Sequence, residues 1–368
     1  MNIAIVASVA ESRRIHILAA ARELGRTHRV TVYTRRDRTD GKPKSRVAGG
    51  VTLEQIDAGP ARNLPADDVA PYLSDVGAQL MRRWSQDRPD VIHAHSWTGG
   101  LAAIAGAGGL GVPVMQTFHP GGSEHLKLER ALGRRADGVI AGSEHEEAAL
   151  IRLGVPRDHI SVVPYGVDVD RFRRQGPVTA RTAGQRLLHV GPLTPGSGAA
   201  TVVRALAGLP GVELVLAGGP EPGSLDDDRE VRRLRMLAQQ AGVADRVTML
   251  GQVPHGSVPK LMRGADLVLS LPRSTSTGMV ALEAMACGVP VIASAVGAHL
   301  DSVVDGVTGL LVPPDRPALT ARLARELLAD PTRRTAVGFA GADRVRSRYT
   351  WERISGELAR VYEDAAFL

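Results

Sequence analysis

Gly278-Met279-Val280-Ala281-Leu282-Glu283-Ala284-Met285-Ala286-Cys287-Gly288-Val289-Pro290 runs directly into Val291-Ile292-Ala293-Ser294. A glycine opens an apolar helix, one carboxylate sits inside it, and Gly-Val-Pro closes it before a strand begins. Backbone N–H groups at a helix start lack internal acceptors and attract phosphate. Glu283 is the only charged residue between Arg273 and Asp301, so it interrupts a stretch that otherwise reads as core. A carboxylate in such a place requires hydroxyl or amide partners, and a ribose offers two hydroxyls. The same pattern also suits a helix packed in an α/β core with Glu283 satisfied by protein neighbours.

Outward from this segment, apolar strand-like runs alternate with helical stretches, the pattern of parallel sheets with crossover helices. Strands are predicted over residues 2–7, 30–34, 51–56, 91–95, 114–118, 138–141 and 160–163. Amphipathic helices are predicted over 15–24, 68–86 and 144–152, and the charged stretch 35–46 reads as an exposed loop. Pro164-Tyr165-Gly166-Val167-Asp168 then breaks the pattern, and a polar stretch follows to Gln185. A domain boundary belongs there. Strands resume at 186–190, 212–217, 247–250, 267–271, 289–293 and 310–312, with helices over 199–206, 227–241 and 258–264. The tail 351–366 carries Ile354, Leu358, Val361 and Tyr362 at helical spacing and needs a surface to cover. Two doubly wound α/β domains follow, residues 1–165 and 166–349, with the helix of 350–368 packing back on the first.

Composition removes several function classes. The chain has 368 residues, enough for two cores, and no apolar run approaches the ~20 residues of a membrane span. Met1-Asn2-Ile3-Ala4-Ile5-Val6-Ala7 lacks a basic n-region and reads as a first buried strand, which makes the cytosol the expected compartment. A single cysteine, Cys287, leaves no internal disulfide or thiolate metal cluster. The net charge of +6 invites a nucleic-acid reading, yet 41 of the 45 basic residues are arginine, as a GC-rich genome produces. Basic and acidic residues stand at 21 to 18 over residues 1–165 and at 24 to 21 over the rest. Neither half concentrates a field, and 3% aromatics offer few stacking platforms. Nucleic acid is therefore not an expected partner; weak peripheral attraction to an anionic membrane is left open.

Taken in order, several segments resemble the retaining glycosyltransferases of the family-four type, with the GT-B fold of two Rossmann-like domains. They are His28-Arg29-Val30-Thr31-Val32-Tyr33-Thr34, Pro89-Asp90-Val91-Ile92-His93-Ala94-His95, Gln116-Thr117-Phe118-His119 and Ser161-Val162-Val163-Pro164-Tyr165-Gly166-Val167-Asp168. The Leu250-Gly251-Gln252-Val253 turn, the opening segment and Asp305-Gly306-Val307-Thr308-Gly309-Leu310-Leu311-Val312 continue the series. The resemblance implies an active site in the interdomain cleft, an acceptor domain over 1–165 and a donor domain over 166–349. It implies transfer of a sugar from a nucleoside diphosphate sugar to an acceptor with retention, without a metal or other cofactor. Departure of the diphosphate builds negative charge, so catalysis depends on donors aimed at the β-phosphate.

The chain departs from that family at the diphosphate and sugar grips. The turn Gly191-Pro192-Leu193-Thr194-Pro195-Gly196-Ser197-Gly198 has Pro192 where the family has Arg and Ser197 where it has Lys. Thr275, in Ser274-Thr275-Ser276-Thr277-Gly278, stands where a sugar-gripping Glu is usual. Ser8-Val9-Ala10-Glu11-Ser12-Arg13-Arg14 replaces the usual Gly-Gly loop, and the loop after His119 is short. Each charge-assisted bond is worth about 1.5–3 kcal/mol, so losing two cations is a large change. Arg13, Arg14 and Arg273 are candidate replacements; an unusual donor sugar is a second explanation, and a chain that has lost transfer is a third.

The resemblance assigns His119 to the donor sugar near the reaction centre and Glu283 to the ribose. Gly278, Met279 and Val280 would act through backbone N–H groups, with Thr275, Ser276, Thr277, Gly191, Ser197 and Arg273 around the phosphates and sugar. Gln252 and Val253 would line the base through backbone groups, which leaves UDP and GDP undecided. Ser8, Arg13, Arg14, His93 and His95 are the acceptor- or phosphate-side candidates; no carboxylate or Cys joins the two histidines into a metal site. Asp168 and Asp170 read as caps or hinge anchors rather than acids. The expected activity is transfer of a modified sugar to a small-molecule acceptor, in actinobacterial specialised metabolism such as antibiotic biosynthesis. The alternative is a catalytically silent GT-B protein serving as a nucleotide-binding or auxiliary subunit.

Overall fold

The computed structural model describes residues 1–7, 11–118, 125–180, 184–275 and 277–367, and for residues 11–14 the backbone alone. The chain divides into two compact units, Met1–Gly166 with Trp351–Leu368, and Val167–Thr350. In the first, the strands are β1 (Asn2–Ala7), β2 (Arg29–Arg35), β3 (Lys44–Ala48), β4 (Val51–Ile56), β5 (Val91–His95), β6 (Val114–Thr117), β7 (Gly138–Ala141) and β8 (Ile160–Val162). They lie in the order β3-β4-β2-β1-β5-β6-β7-β8. Every pairing is parallel except β3 with β4. Crossovers run through α1 (Glu11–Leu24), α2 (Ala66–Val69), α3 (Leu73–Gln86), α4 (Ser96–Ala107), α5 (Leu126–Arg135) and α6 (Glu144–Leu153).

The second unit contains β9 (Gln185–Val190), β10 (Val212–Ala217), β11 (Val247–Gly251), β12 (Leu267–Ser270), β13 (Val291–Ser294) and β14 (Leu310–Val312). Their order, β11-β10-β9-β12-β13-β14, is all parallel and reverses direction between β9 and β12. Its helices are α7 (Ala199–Leu206), α8 (Arg229–Gln240), α9 (Val258–Arg263), α10 (Met279–Ala286), α11 (His299–Ser302), α12 (Pro317–Ala329) and α13 (Pro331–Arg348). The chain then returns to the first unit as α14 (Trp351–Ala366). Among the described residues no helix is long and apolar enough to cross a membrane.

Two-faced burial explains why the strands read as continuous apolar runs rather than alternating ones. Along β1, Ile3 and Ile5 join one cluster while Ala4 and Val6 join another on the opposite face. The surface that α14 covers is the first of these. Ile354, Leu358 and Tyr362 are buried there with Ile17, Ala21 and Leu24 of α1.

Three sequence expectations are corrected. The stretch 35–46 is not all exposed loop: Arg35 ends β2 only 7% exposed, and Lys44–Ala48 forms the antiparallel edge strand. An edge strand tolerates charge because one side faces solvent. The Arg35 guanidinium donates to the carbonyls of Pro60 at 2.6 Å, Arg36 at 2.9 Å and Arg62. Residues 68–86 are not one helix, because Pro71 supplies no N–H and a short 3₁₀ turn, Ala70–Tyr72, separates α2 from α3. The strand expected over 289–293 begins at Val291, after Pro290, whose carbonyl accepts from the Val268 N–H at 3.0 Å.

Three buried histidines set an acid limit on stability. Burial holds the His95 imidazole down to about 3. Burial also lowers His189 and His299, against the opposing pull of their bonds to the Leu269 and Ser294 carbonyls. Each folded value lies below the unfolded value of about 6.5, so below that pH the unfolded chain binds more protons. The stabilisation is complete above pH ~6.5 and drains as acid is added, by up to ~1.4 kcal/mol per pH unit per histidine. Urea unfolding at pH 7.5 and 5.0 is expected to show a clear loss at the lower pH. A flat profile across that interval contradicts neutral buried imidazoles.

Candidate functional site

In an open parallel sheet, ligands bind beyond the carboxyl ends of the strands where the order reverses. In the second unit that point lies between β9 and β12, and the segments leaving them are residues 191–198 and 271–278. Backbone bonds lace the edge together. Gly191 N–H donates to Ala217 O at 3.0 Å, Gly218 N–H to Gly251 O at 2.8 Å, and Arg273 N–H to Gly196 O at 2.9 Å. Gly191 and Arg273 are thereby brought to one rim with Ser197, whose buried Oγ has no hydrogen-bond partner among the described residues.

The helix of the opening motif starts on this rim. Gly278, with φ +61°, caps α10 in the left-handed region that a side chain disfavours, and its N–H donates to Thr275 Oγ1 at 3.1 Å. The Gly278 amide is thus used by Thr275, a correction to its expected role as a free phosphate donor. Ala281 and Leu282 both donate to the Gly278 carbonyl, so the amides of Met279 and Val280 precede the helix ladder and point past its end. Thr277 is partly buried beside them. Ser276 lies outside the described residues.

Glu283 is 5% exposed, and its Oε1 accepts from His255 Nε2 at 2.9 Å. Burial pushes the carboxyl above its usual range, while the His255 bond and the Arg171 charge pull it back. Arg171 Nη1 lies 3.2 Å from His255 Nδ1. A guanidinium can only donate, so Nδ1 accepts and Nε2 carries the hydrogen given to Glu283. Asp168 anchors the far end: its Oδ1 accepts from the Asp170 and Arg171 amides at 3.2 and 3.0 Å. Its Oδ2 stands 3.7 Å from Arg171 Nε. Phe172 packs beside the His255 ring at 5.3 Å.

His255 is the residue that sequence reasoning missed. The signal lay in the turn it had already singled out, since His255 follows Gln252 and Val253 by three and two residues. The Gln252 N–H donates to Pro220 O at 2.7 Å, and the Val253 side chain packs against the core. The exposed Arg273 side chain pairs through its Nε with Asp315 Oδ2 at 2.7 Å.

In the first unit the order reverses between β1 and β5, where Ala7 pairs with His95. Ser8, which follows Ala7, and His119 lie outside the described residues, and Arg13 and Arg14 are placed only as backbone in the first turn of α1. His93 is corrected from an acceptor-facing group to a core one. Its Nδ1 meets Tyr362 Oη at 2.6 Å and its Nε2 meets Thr117 Oγ1 at 2.9 Å. His95 is buried beside it with ring centroids 4.2 Å apart. Both line a cavity of about 50 Å³ with His16, Tyr165 and Trp351, room for a few waters. Ser96 opens α4 at φ +64°, held there by Gln116 Nε2, which donates to its carbonyl at 3.0 Å. Among the described residues no cluster of His, Cys, Asp or Glu is arranged to hold a metal.

Residues 14–171 match the family Glycosyltransferase Family 4, and residues 173–344 match Glycosyl transferases group 1. The chain is 34% identical over 385 residues to a D-inositol 3-phosphate glycosyltransferase of Acidothermus cellulolyticus, covering 95% of this chain and 85% of that protein. Sucrose-phosphate synthase from Thermosynechococcus elongatus superposes with a TM-score of 0.87 at 26% identity, over 99% of this chain and 98% of the other. HepE of Anabaena, solved in complex with UDP-glucose, shares the fold with a TM-score of 0.79 at 20% identity, over 99% of this chain and 100% of the other.

Proposed function

Because the chain belongs to the family-four GT-B glycosyltransferases, we propose that it moves a sugar from a nucleoside diphosphate sugar to a small acceptor with retention and without a metal. The observation that carries this reading is the placement of Glu283. A buried carboxylate one turn inside α10, next to the strand-order reversal, is where a ribose would be gripped. The amides of Met279 and Val280 then meet the diphosphate, and the second unit holds the donor while the first binds the acceptor. His119 positions the sugar as the acceptor attacks on the face the leaving group departs from.

Thr275 in place of a sugar-gripping carboxylate supports a donor sugar other than a plain hexose. Its hydroxyl is already engaged by the Gly278 amide, so it caps the helix rather than reaching outward. The relatives' name places phosphorylated polyols at the head of the acceptor panel, and the modified-sugar reading adds small molecules of actinobacterial specialised metabolism. A thermal-shift titration with UDP, GDP, ADP and dTDP tests the donor site first, since a ligand that binds only the folded state raises its melting temperature. One nucleotide is expected to give a shift of several degrees. A flat response to all four removes the donor-site reading.

The alternative, a silent auxiliary subunit, gains support from a specific observation. Arg273, whose amide bonds to Gly196 of the altered turn, has its guanidinium paired with Asp315, and neither Pro192 nor Ser197 supplies a cation. A shift with sugar nucleotide that is never followed by transfer or hydrolysis would favour it.

A further inference from the structure

We propose that His255 is the positioning residue that presets Glu283 for a ribose diol, with Arg171 fixing its tautomer. This inference rests on the donor-site reading above. A glutamate has three side-chain torsions, and a carboxylate that must meet two vicinal hydroxyls gains affinity when those torsions are settled beforehand. His255 settles them by donating from Nε2 to Oε1, leaving Oε2 with no hydrogen-bond partner among the described residues. The imidazole is itself held on three sides: by Glu283 at Nε2, by Arg171 at Nδ1, and by the Phe172 ring on its face. Arg171 is steadied in turn by Asp168, whose other oxygen is tied to two backbone amides.

The chain of contacts has one direction. Arg171 donates to His255, and His255 donates to Glu283, so the carboxylate ends the series as the acceptor still able to take hydrogens. A ribose hydroxyl is a donor that fits that vacancy. A purely structural His–Glu pair would need no cation on its far nitrogen, because either tautomer could be chosen by local packing. Here Arg171 excludes the tautomer that would turn the Nε2 lone pair against the carboxylate.

The test is titration calorimetry on the full chain with UDP against 2′-deoxy-UDP, and GDP against 2′-deoxy-GDP. Wild type is expected to prefer the ribonucleotide of one pair by roughly 10–100-fold, the worth of one charge-assisted hydroxyl bond. In His255→Leu that preference is expected to collapse to within about 3-fold of unity. His255→Gln, whose amide can still donate to Glu283, is expected to keep most of it. Arg171→Leu, on the exposed side of the ring, provides a second reduced variant if His255→Leu does not fold. An unchanged ribose preference in the folded loss-of-donor variants overturns the positioning role. Equal binding of both members by wild type overturns it while leaving nucleotide binding intact. Failure of wild type to bind any of the four probes removes the donor-site reading, and this inference with it.

Discussion

Replacing Glu283 by glutamine should lower sugar-nucleotide turnover by about 10²–10⁴-fold and raise the melting temperature in the same protein. The first effect follows from charge. Two ribose hydroxyls donating to a carboxylate are worth about 1.5–3 kcal/mol each, and a neutral amide oxygen retains only part of that. The amide must also turn its oxygen toward His255 Nε2–H, which places its NH₂ where a hydroxyl hydrogen would arrive. The second effect follows from burial. The Glu283 carboxyl is pushed above its usual range because the charged form is costly at 5% exposure. Removing the charge while keeping the shape relieves that cost at neutral pH. Opposite signs in activity and stability are what a group retained for function produces. If activity and melting temperature fall together, Glu283 serves mainly as a structural partner of His255, and the ribose assignment is wrong.

Much of the fold was legible because its signals are local. Parallel strands buried on both faces read as unbroken apolar runs, and 212–217, 138–141 and 310–312 coincide with β10, β7 and β14. The tail 351–366 coincides with α14, since Ile354, Leu358 and Tyr362 recur at helical spacing and meet a fixed surface. The long helices α12 and α13 gave weaker signals. In α13 the arginines at 333, 334, 344, 346 and 348 dilute the apolar face, and tertiary packing rather than pattern makes it helical. In the site, Glu283 stood out alone because a single charge in an apolar helix is visible in one dimension. Its partner His255 lies 28 residues earlier, and Asp315 lies 42 residues beyond Arg273. Both pairings are products of strand order, which no local pattern encodes. The spent amides of Gly278 and Gln252 were invisible for the same reason, since Thr275 and Pro220 take them through turn geometry.

Gly297→Ala should destabilise the second unit by at least ~3 kcal/mol and weaken nucleotide binding at the same time. Gly297 sits at φ +51°, and a Cβ there would stand 1.9 Å from Thr275 O and 3.0 Å from Thr275 C. Those atoms are backbone, so no rotamer change can relieve the clash. The Thr275 carbonyl also accepts from the Ala298 N–H at 3.3 Å, which ties the two segments together. The strain therefore falls on Thr275, whose Oγ1 holds the Gly278 amide at the start of α10. Gly306→Ala separates the two contributions. It has φ +75° but nothing within 4 Å of an added Cβ, so it carries only the left-handed penalty of about 1–2 kcal/mol. Urea unfolding of both variants, with nucleotide titration alongside, reads the difference. The close approach of the Thr275 segment sets the geometry of the donor rim if Gly297→Ala loses clearly more stability than Gly306→Ala and loses nucleotide affinity as well. Equal stability losses with unchanged affinity would mean that the rim adjusts freely, and that α10 does not depend on this contact for its placement.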